Sequence, residues 1–219
     1  MKIIMSFCAL SLALGLAAVR ADEPKKETAP APQKSDAGKD TKPANTNEVA
    51  VIKTTEGEMV LEFWPDVAPK TVENFKKLAR QGFYDGTAFH RVIKGFMIQG
   101  GDPLTKDPKA AAQYGGGGPG YTIPDEFHNR SHARGVISMA HTGAPNSGGS
   151  QFFICLNEEQ TRQLNGKYAA FGKLIKGDDV LEKIGNAACT GPNAMGEFSI
   201  PKTRIGIESI KIVPADSVK

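Results

Sequence analysis

Cysteine, tryptophan and net charge are all scarce in this 219-residue chain, which has three Cys, one Trp and a formal charge of +3. So few cysteines exclude a disulfide-stapled mini-domain, which is short and Cys-dense. So little charge, 27 Lys+Arg against 24 Asp+Glu, excludes the strongly basic face of a typical nucleic-acid-binding domain. The one extended apolar stretch, Ile3–Ala18, falls short of the ~20 residues that a membrane span needs. No Gly-x-Ser-x-Gly elbow and no Gly-Lys-Ser/Thr phosphate loop occurs, which removes two common catalytic and nucleotide-binding readings.

What is present divides the chain into three materials. Lys2, the apolar run Ile3–Ala18 and Val19-Arg20-Ala21 before Asp22 have the order of a cleavable secretory signal over residues 1–21. Residues 22–48 hold four Pro, five Lys and six acidic residues, and no Ile, Leu, Val, Met or aromatic side chain. Nothing there can repay the entropy of ordering, so the segment is predicted to be a disordered tether. The leader implies a periplasmic or secreted protein with no integral membrane span after cleavage. Residues 49–219 carry 22 of the 24 glycines. A body so rich in glycine makes many tight turns and few long helices.

That body reads as short strands. Val49–Thr54 and Glu58–Trp64 flank Glu56-Gly57 as an opening hairpin. Phe89–Ile93, Phe96–Gln99, Val136–Ala140, Gln151–Leu156, Tyr168–Ile175 and Ile205–Val213 are further apolar runs bounded by Gly, Pro or Asn. Pro69 opens a helix with Val72, Phe75 and Leu78/Ala79 at helical spacing, and Gly82 ends it. Asp178 is predicted to cap a second helix whose Val180, Leu181 and Ile184 share a face. Many short strands with Gly/Pro turns indicate an all-β barrel or sandwich.

Several patterns fail their context tests. Gly115-x-Gly117-x-x-Gly120 matches a dinucleotide fingerprint, but no strand precedes it, Pro119 interrupts it and no helix follows. It reads as a glycine-rich surface loop. His128 and His132 have metal-ligand spacing, yet lie in a turn-like stretch with no third ligand. Cys155 ends an apolar run as a core thiol and Cys189 lies in a loop, so no disulfide is expected between them.

Five stretches carry the functional signal. They are Phe89-His90-Arg91, Gly95-Phe96-Met97-Ile98-Gln99-Gly100-Gly101-Asp102, Ser138-Met139-Ala140-His141, Gly149-Ser150-Gln151-Phe152-Phe153-Ile154 and Leu164 through Gly172. In this order they closely resemble the cyclophilin family of peptidyl-prolyl cis/trans isomerases, over about Val49 to Val213. The resemblance implies an eight-stranded antiparallel barrel closed by two α-helices, with the groove on its outer face. It implies Arg91 and Gln99 as the catalytic pair. Phe96, Met97, Phe153 and Leu164 match the proline pocket, Ala140 and His141 the main-chain edge that holds the peptide, and Gln151 and Tyr168 the walls. No cofactor and no metal is implied. The partners are proline-containing peptides and folding proteins, met by a monomer.

These residue types suit that chemistry independently of the family. Rotation about an X-Pro bond faces a barrier of about 20 kcal/mol, and lowering it needs no nucleophile or metal. It needs a site that fits the twisted amide better than the planar forms. An apolar slot holds the ring, and a positioned guanidinium bonds the prolyl nitrogen as it regains its lone pair. Three positions depart from the family pattern. Gln163 stands where animal members carry a cyclosporin-contacting tryptophan, Tyr168 replaces a histidine, and His141 replaces an asparagine. The expected consequence is weakened cyclosporin binding with the reaction retained. The competing reading is a chaperone module that holds proline segments with little turnover; Arg91, which holding alone does not require, separates the two.

The composition of residues 22–48 generates the first prediction. Limited proteolysis should clip within that segment and leave a stable, active body, and a chain begun at Asn47 should fold unaided. Failure of that shortened chain to fold contradicts the assignment.

Overall fold

The computed structural model describes residues 47–193 and 196–218; the predicted leader and nearly all of the tether lie outside them. Glu48, grouped with the tether by composition, instead opens the first strand. Its carboxylate pairs with Arg80 Nη2 at 2.7 Å and Lys76 Nζ at 3.2 Å.

The chain forms β1 (Glu48–Thr54), β2 (Gly57–Phe63), α1 (Pro69–Arg80), β3 (Thr87–Phe89), β4 (Arg91–Ile93) and β5 (Met97–Gly100). Two 3-10 turns follow at Pro103–Lys106 and Pro108–Gln113. Then come β6 (Val136–Met139), β7 (Phe152–Cys155), α2 (Glu158–Thr161), β8 (Ala170–Lys176) and α3 (Asp178–Gly185). A two-stranded ribbon of β9 (Cys189–Thr190) and β10 (Ile200–Pro201) precedes the long β11 (Ile205–Pro214).

Nine strands make one antiparallel sheet in the order β3-β11-β1-β2-β8-β6-β7-β5-β4. Its two edge strands are neighbours in the chain, separated only by His90, so the sheet curls into a nearly closed barrel. The resemblance implies eight strands, and the sheet has nine because Phe89–Ile93, read from sequence as one run, is divided between β3 and β4. The break at His90 has a geometric cause: Phe89 pairs with Ile205 of β11, whereas Arg91 pairs with Gln99 of β5. One strand changes partners there and closes the barrel.

The period-2 alternation decides what lies inside. Phe89, Val92, Ile98, Ile137, Phe152, Ile154 and Phe171 face a single buried core. Val72, Phe75, Leu78 and Ala79 of α1 join that cluster, as do Val180, Leu181 and Ile184 of α3. These are the two predicted helices; α2 is a single extra turn, capped by Asn157. Asp178 does not cap α3. Gly177, at φ +87°, takes the cap position, and a Cβ there would lie 2.3 Å from Glu58 O, so only glycine fits. Asp178 becomes the first helical residue and accepts from Arg134 Nε at 2.8 Å. Both Cys155 and Cys189 are free thiols. Burial pushes the Cys155 thiol up to about 12, which keeps it unreactive.

Helix α1 has no capping side chain of its own and no acidic residue in its first turn. Glu126 supplies both from a distant loop: its carboxylate accepts from Lys70 N (3.1 Å), Thr71 N (2.8 Å) and Thr71 Oγ1 (2.8 Å). Glu126→Ala is therefore expected to lower stability by about 0.5–2 kcal/mol in urea unfolding, with isomerase turnover retained. An unchanged urea midpoint would mean that water caps the helix equally well.

Candidate active site

The outward-facing residues of four adjacent strands line up across the barrel wall. Arg91 of β4 is the register partner of Gln99 on β5, Gln99 of Phe153 on β7, and Phe153 of Ser138 on β6. Each neighbour of these residues along its own strand points into the core, so the row forms only if every strand keeps its pleat phase. Met97 and Cys155 are paired in the next row. Phe153, Met97, Cys155, Val136 and Ala170 form a second apolar cluster outside the barrel interior, edged by Phe96, Ala140, Leu164 and Tyr168.

All ten residues predicted for the site line one groove of about 1090 Å³. At its polar end Gln99 Oε1 accepts from Arg91 Nη1 at 3.1 Å, and Gln99 Nε2 donates to Gln151 Oε1 at 3.0 Å. Gln151 Nε2 then donates to the carbonyls of Gly115 and Gly117, both at 2.8 Å. At the apolar end Tyr168 meets Phe153 edge-on at 5.4 Å and stacks on His141 at 4.2 Å. The His141 ring is thus itself a wall; its Nε2 donates to Lys167 O at 3.0 Å. The Ala140 N–H donates to Gln151 O at 2.9 Å and joins this edge to the end of β7.

The glycine-rich segment that mimics a nucleotide fingerprint is a wall of this groove. Asp102, fully buried, accepts from Leu104 N (2.8 Å) and Gly115 N (2.5 Å) and so ties the loop to the barrel. A Cβ on Gly117 would lie 2.1 Å from Asp102 Oδ1, which explains glycine there.

Two supports escaped the sequence reading. His132, weighed there only as a metal ligand, is fully buried behind the pocket and stacks on Phe153 at 6.1 Å. Its Nδ1 donates to Asn165 Oδ1 (3.0 Å), and Nε2 accepts from Ser138 Oγ (3.1 Å). Burial lowers its pKa and holds the ring neutral. His128 is engaged elsewhere, with Nε2 on Ala170 O at 2.6 Å. Among the described residues no group of three or more His, Cys, Asp and Glu could hold a metal ion. The second support is Glu197, whose carboxylate accepts from Arg91 Nε and Nη2, each at 2.7 Å. The partners lie 106 residues apart in sequence, so no local pattern could announce them.

The arrangement sets an apolar cluster beside a guanidinium held by Glu197 and Gln99. Residues 49–212 match the family model described as cyclophilin type peptidyl-prolyl cis-trans isomerase/CLD. The chain belongs to the cyclophilin-type peptidyl-prolyl cis-trans isomerases. It is 48% identical over 135 residues to a peptidyl-prolyl cis-trans isomerase of Synechococcus elongatus, covering 62% of this chain and 85% of that one. A probable peptidyl-prolyl cis-trans isomerase of Brucella abortus is 42% identical over 145 residues, covering 64% of this chain and 73% of the relative. The crystal structure of a Cryptosporidium parvum cyclophilin type isomerase in the presence of the dipeptide Ala-Pro superposes with a TM-score of 0.65 at 36% identity, covering 75% of this chain and 98% of that one. The activity of this cyclophilin is accordingly peptidyl-prolyl cis-trans isomerisation, on proline-containing peptides. Among the described residues no helix is long and apolar enough to cross a membrane.

The ion pair at the polar end has a measurable signature. Hydrogen bonds from Arg91 bring the Glu197 carboxyl from its usual 4.5 to about 2. The unfolded chain takes up this proton below about 4.5 while the folded state does not, so stability falls as pH drops from about 4.5 toward about 2. Glu197→Gln should flatten that part of the stability-pH curve in urea unfolding. Equal slopes in the two proteins would mean that the pair does not form in solution.

Proposed function

We propose that this cyclophilin accelerates X-Pro rotation in chains folding outside the cytoplasm, by binding the twisted amide with the ring in the Phe153 pocket and Arg91 at the prolyl nitrogen. The observation that carries the reading is the cross-strand row, which sets Arg91 and Gln99 beside Phe153 on one outer face. The prolyl ring occupies the slot between Phe153, Met97, Phe96 and Leu164. Gln151 and the Ala140–His141 edge hold the peptide on either side. As the amide leaves planarity its nitrogen becomes pyramidal and basic, and a guanidinium N–H donates to it. That bond exists only in the twisted form, so it lowers the barrier rather than deepening ground-state binding.

Export is supported by the basic Lys2, the apolar run to Ala18 and the small residues before Asp22, with residues 22–48 as a tether and 49–219 as the isomerase domain. A groove built wholly from one chain supports action as a monomer. Weak cyclosporin binding is supported by Gln163, which is exposed on the 3-10 turn Arg162–Leu164 and donates back to Gln160 O at 3.2 Å instead of reaching into the groove.

Arg91→Ala should lower kcat/KM by about 10²–10³, the usual loss for one preorganised donor, with a much smaller loss of peptide affinity. Arg91→Lys should recover little, because an ammonium lacks the planar fork. Phe153→Ala should weaken binding and turnover together. Near-normal turnover in Arg91→Ala would refute the proposed chemistry.

A further inference from the structure

A guanidinium on a strand edge has several rotatable bonds, and a catalytic donor must be held close to its productive geometry. Gln99 alone, through one bond to Nη1, leaves the plane of the Arg91 guanidinium free to swing. The second restraint comes from outside the sheet. Glu197 takes Nε and Nη2 in a fork-to-fork pair at 2.7 Å each, which fixes the plane as well as the position. The pair is partly withdrawn from solvent, with side-chain exposures of 18% for Arg91 and 30% for Glu197.

Glu197 is itself braced. Asn193 Nδ2 donates to its Oε2 at 3.0 Å, and Ser199 Oγ lies 3.4 Å from the same oxygen. Its own N–H donates to Asn193 Oδ1 at 2.9 Å, and its carbonyl accepts from Asn193 N at 2.8 Å. Ser199 O in turn accepts from Val92 N at 2.8 Å, so the segment is bolted to the strand that carries Arg91. Of the five guanidinium N–H groups, Glu197 takes two and Gln99 one. Nη1 also lies 3.9 Å from Met97 Sδ, an acceptor weak enough for a substrate atom to displace.

We infer that Glu197 is a positioning residue for the isomerase reaction: it sets the Arg91 guanidinium in the plane from which Nη1 and Nη2 can reach the twisting amide. The inference rests on the reading of Arg91 proposed above. It predicts an effect on turnover rather than on substrate capture, since Glu197 does not contribute to the apolar pocket. It also predicts that Glu197 matters only while Arg91 is present.

The test measures kcat and KM separately by exchange NMR with an Ala-Pro peptide, on the full chain and on Glu197→Ala, Glu197→Gln, Arg91→Ala and the Arg91→Ala/Glu197→Ala double variant. Glu197→Ala should lower kcat by about tenfold to a hundredfold, the scale of a slightly misplaced catalytic group, with KM within about twofold. Glu197→Gln keeps the size and one acceptor, so it should fall between. The double variant should be no slower than Arg91→Ala alone, because the two act as a unit. Bonds from Asn193 to the Glu197 main chain do not need the carboxylate, and the isosteric Gln variant remains decisive if the Ala variant folds poorly. Unchanged kcat in both Glu197 variants beside a crippled Arg91→Ala overturns the inference and leaves the Arg91 chemistry standing. A raised kcat overturns it as well, by making Glu197 a competitor that holds Arg91 away from substrate. Near-normal Arg91→Ala turnover sinks the underlying reading and the inference with it.

Discussion

The antiparallel register of four strands is the constraint on which the site depends. Arg91, Gln99, Phe153 and Ser138 sit on β4, β5, β7 and β6 as successive cross-strand partners. A slip of one residue in any of these strands would exchange an outward side chain for a core one: Val92 for Arg91, Ile98 for Gln99, Phe152 for Phe153. The buried core forbids such slips, because Val92, Ile98 and Phe152 would then face water. Stability and site geometry are in this sense one fact. The energy that packs the barrel interior holds this cross-strand row in register on its outside.

Around that row the protein adds polar ties that run far in sequence and short in space. Asp102 and Gln151 pin the glycine-rich wall, His132 backs Phe153, and Glu197 holds Arg91. Each buried or half-buried polar group among these has a partner, as it must where water is excluded. The groove is therefore tied on three sides, which suits the proposed fit to a distorted amide. A soft groove would mould itself to the planar substrate and lose the discrimination on which the proposed mechanism depends.

Much of this was legible in the sequence, for identifiable reasons. Strands β5 and β7 alternate apolar core residues with groove residues, and both lie inside family motifs that name Met97, Gln99 and Phe153. Helix α1 announced itself through Pro69 and the spacing of Val72, Phe75 and Leu78. What stayed hidden was non-local. The partner change at His90 depends on where β11 returns, more than a hundred residues later. Asp178 looked like a cap because the sequence does not reveal that Gly177 must pass within van der Waals contact of Glu58 O. His132 presented a metal-like spacing, although Ser138 and Asn165 use both its nitrogens. The fingerprint-like glycines read as a surface loop, and their place in the groove wall required Asp102 and Gln151 to be seen beside them.

The positions of the prolyl ring and its amide decide how this groove works. A crystal structure of this protein with a bound X-Pro peptide should place the ring against Phe153 and Met97, with a guanidinium N–H of Arg91 facing the prolyl nitrogen. The Gln99 and Glu197 bonds to Arg91 should be retained. A ring seated elsewhere on the barrel, or an Arg91 turned away from the amide with the ring in the pocket, would contradict it.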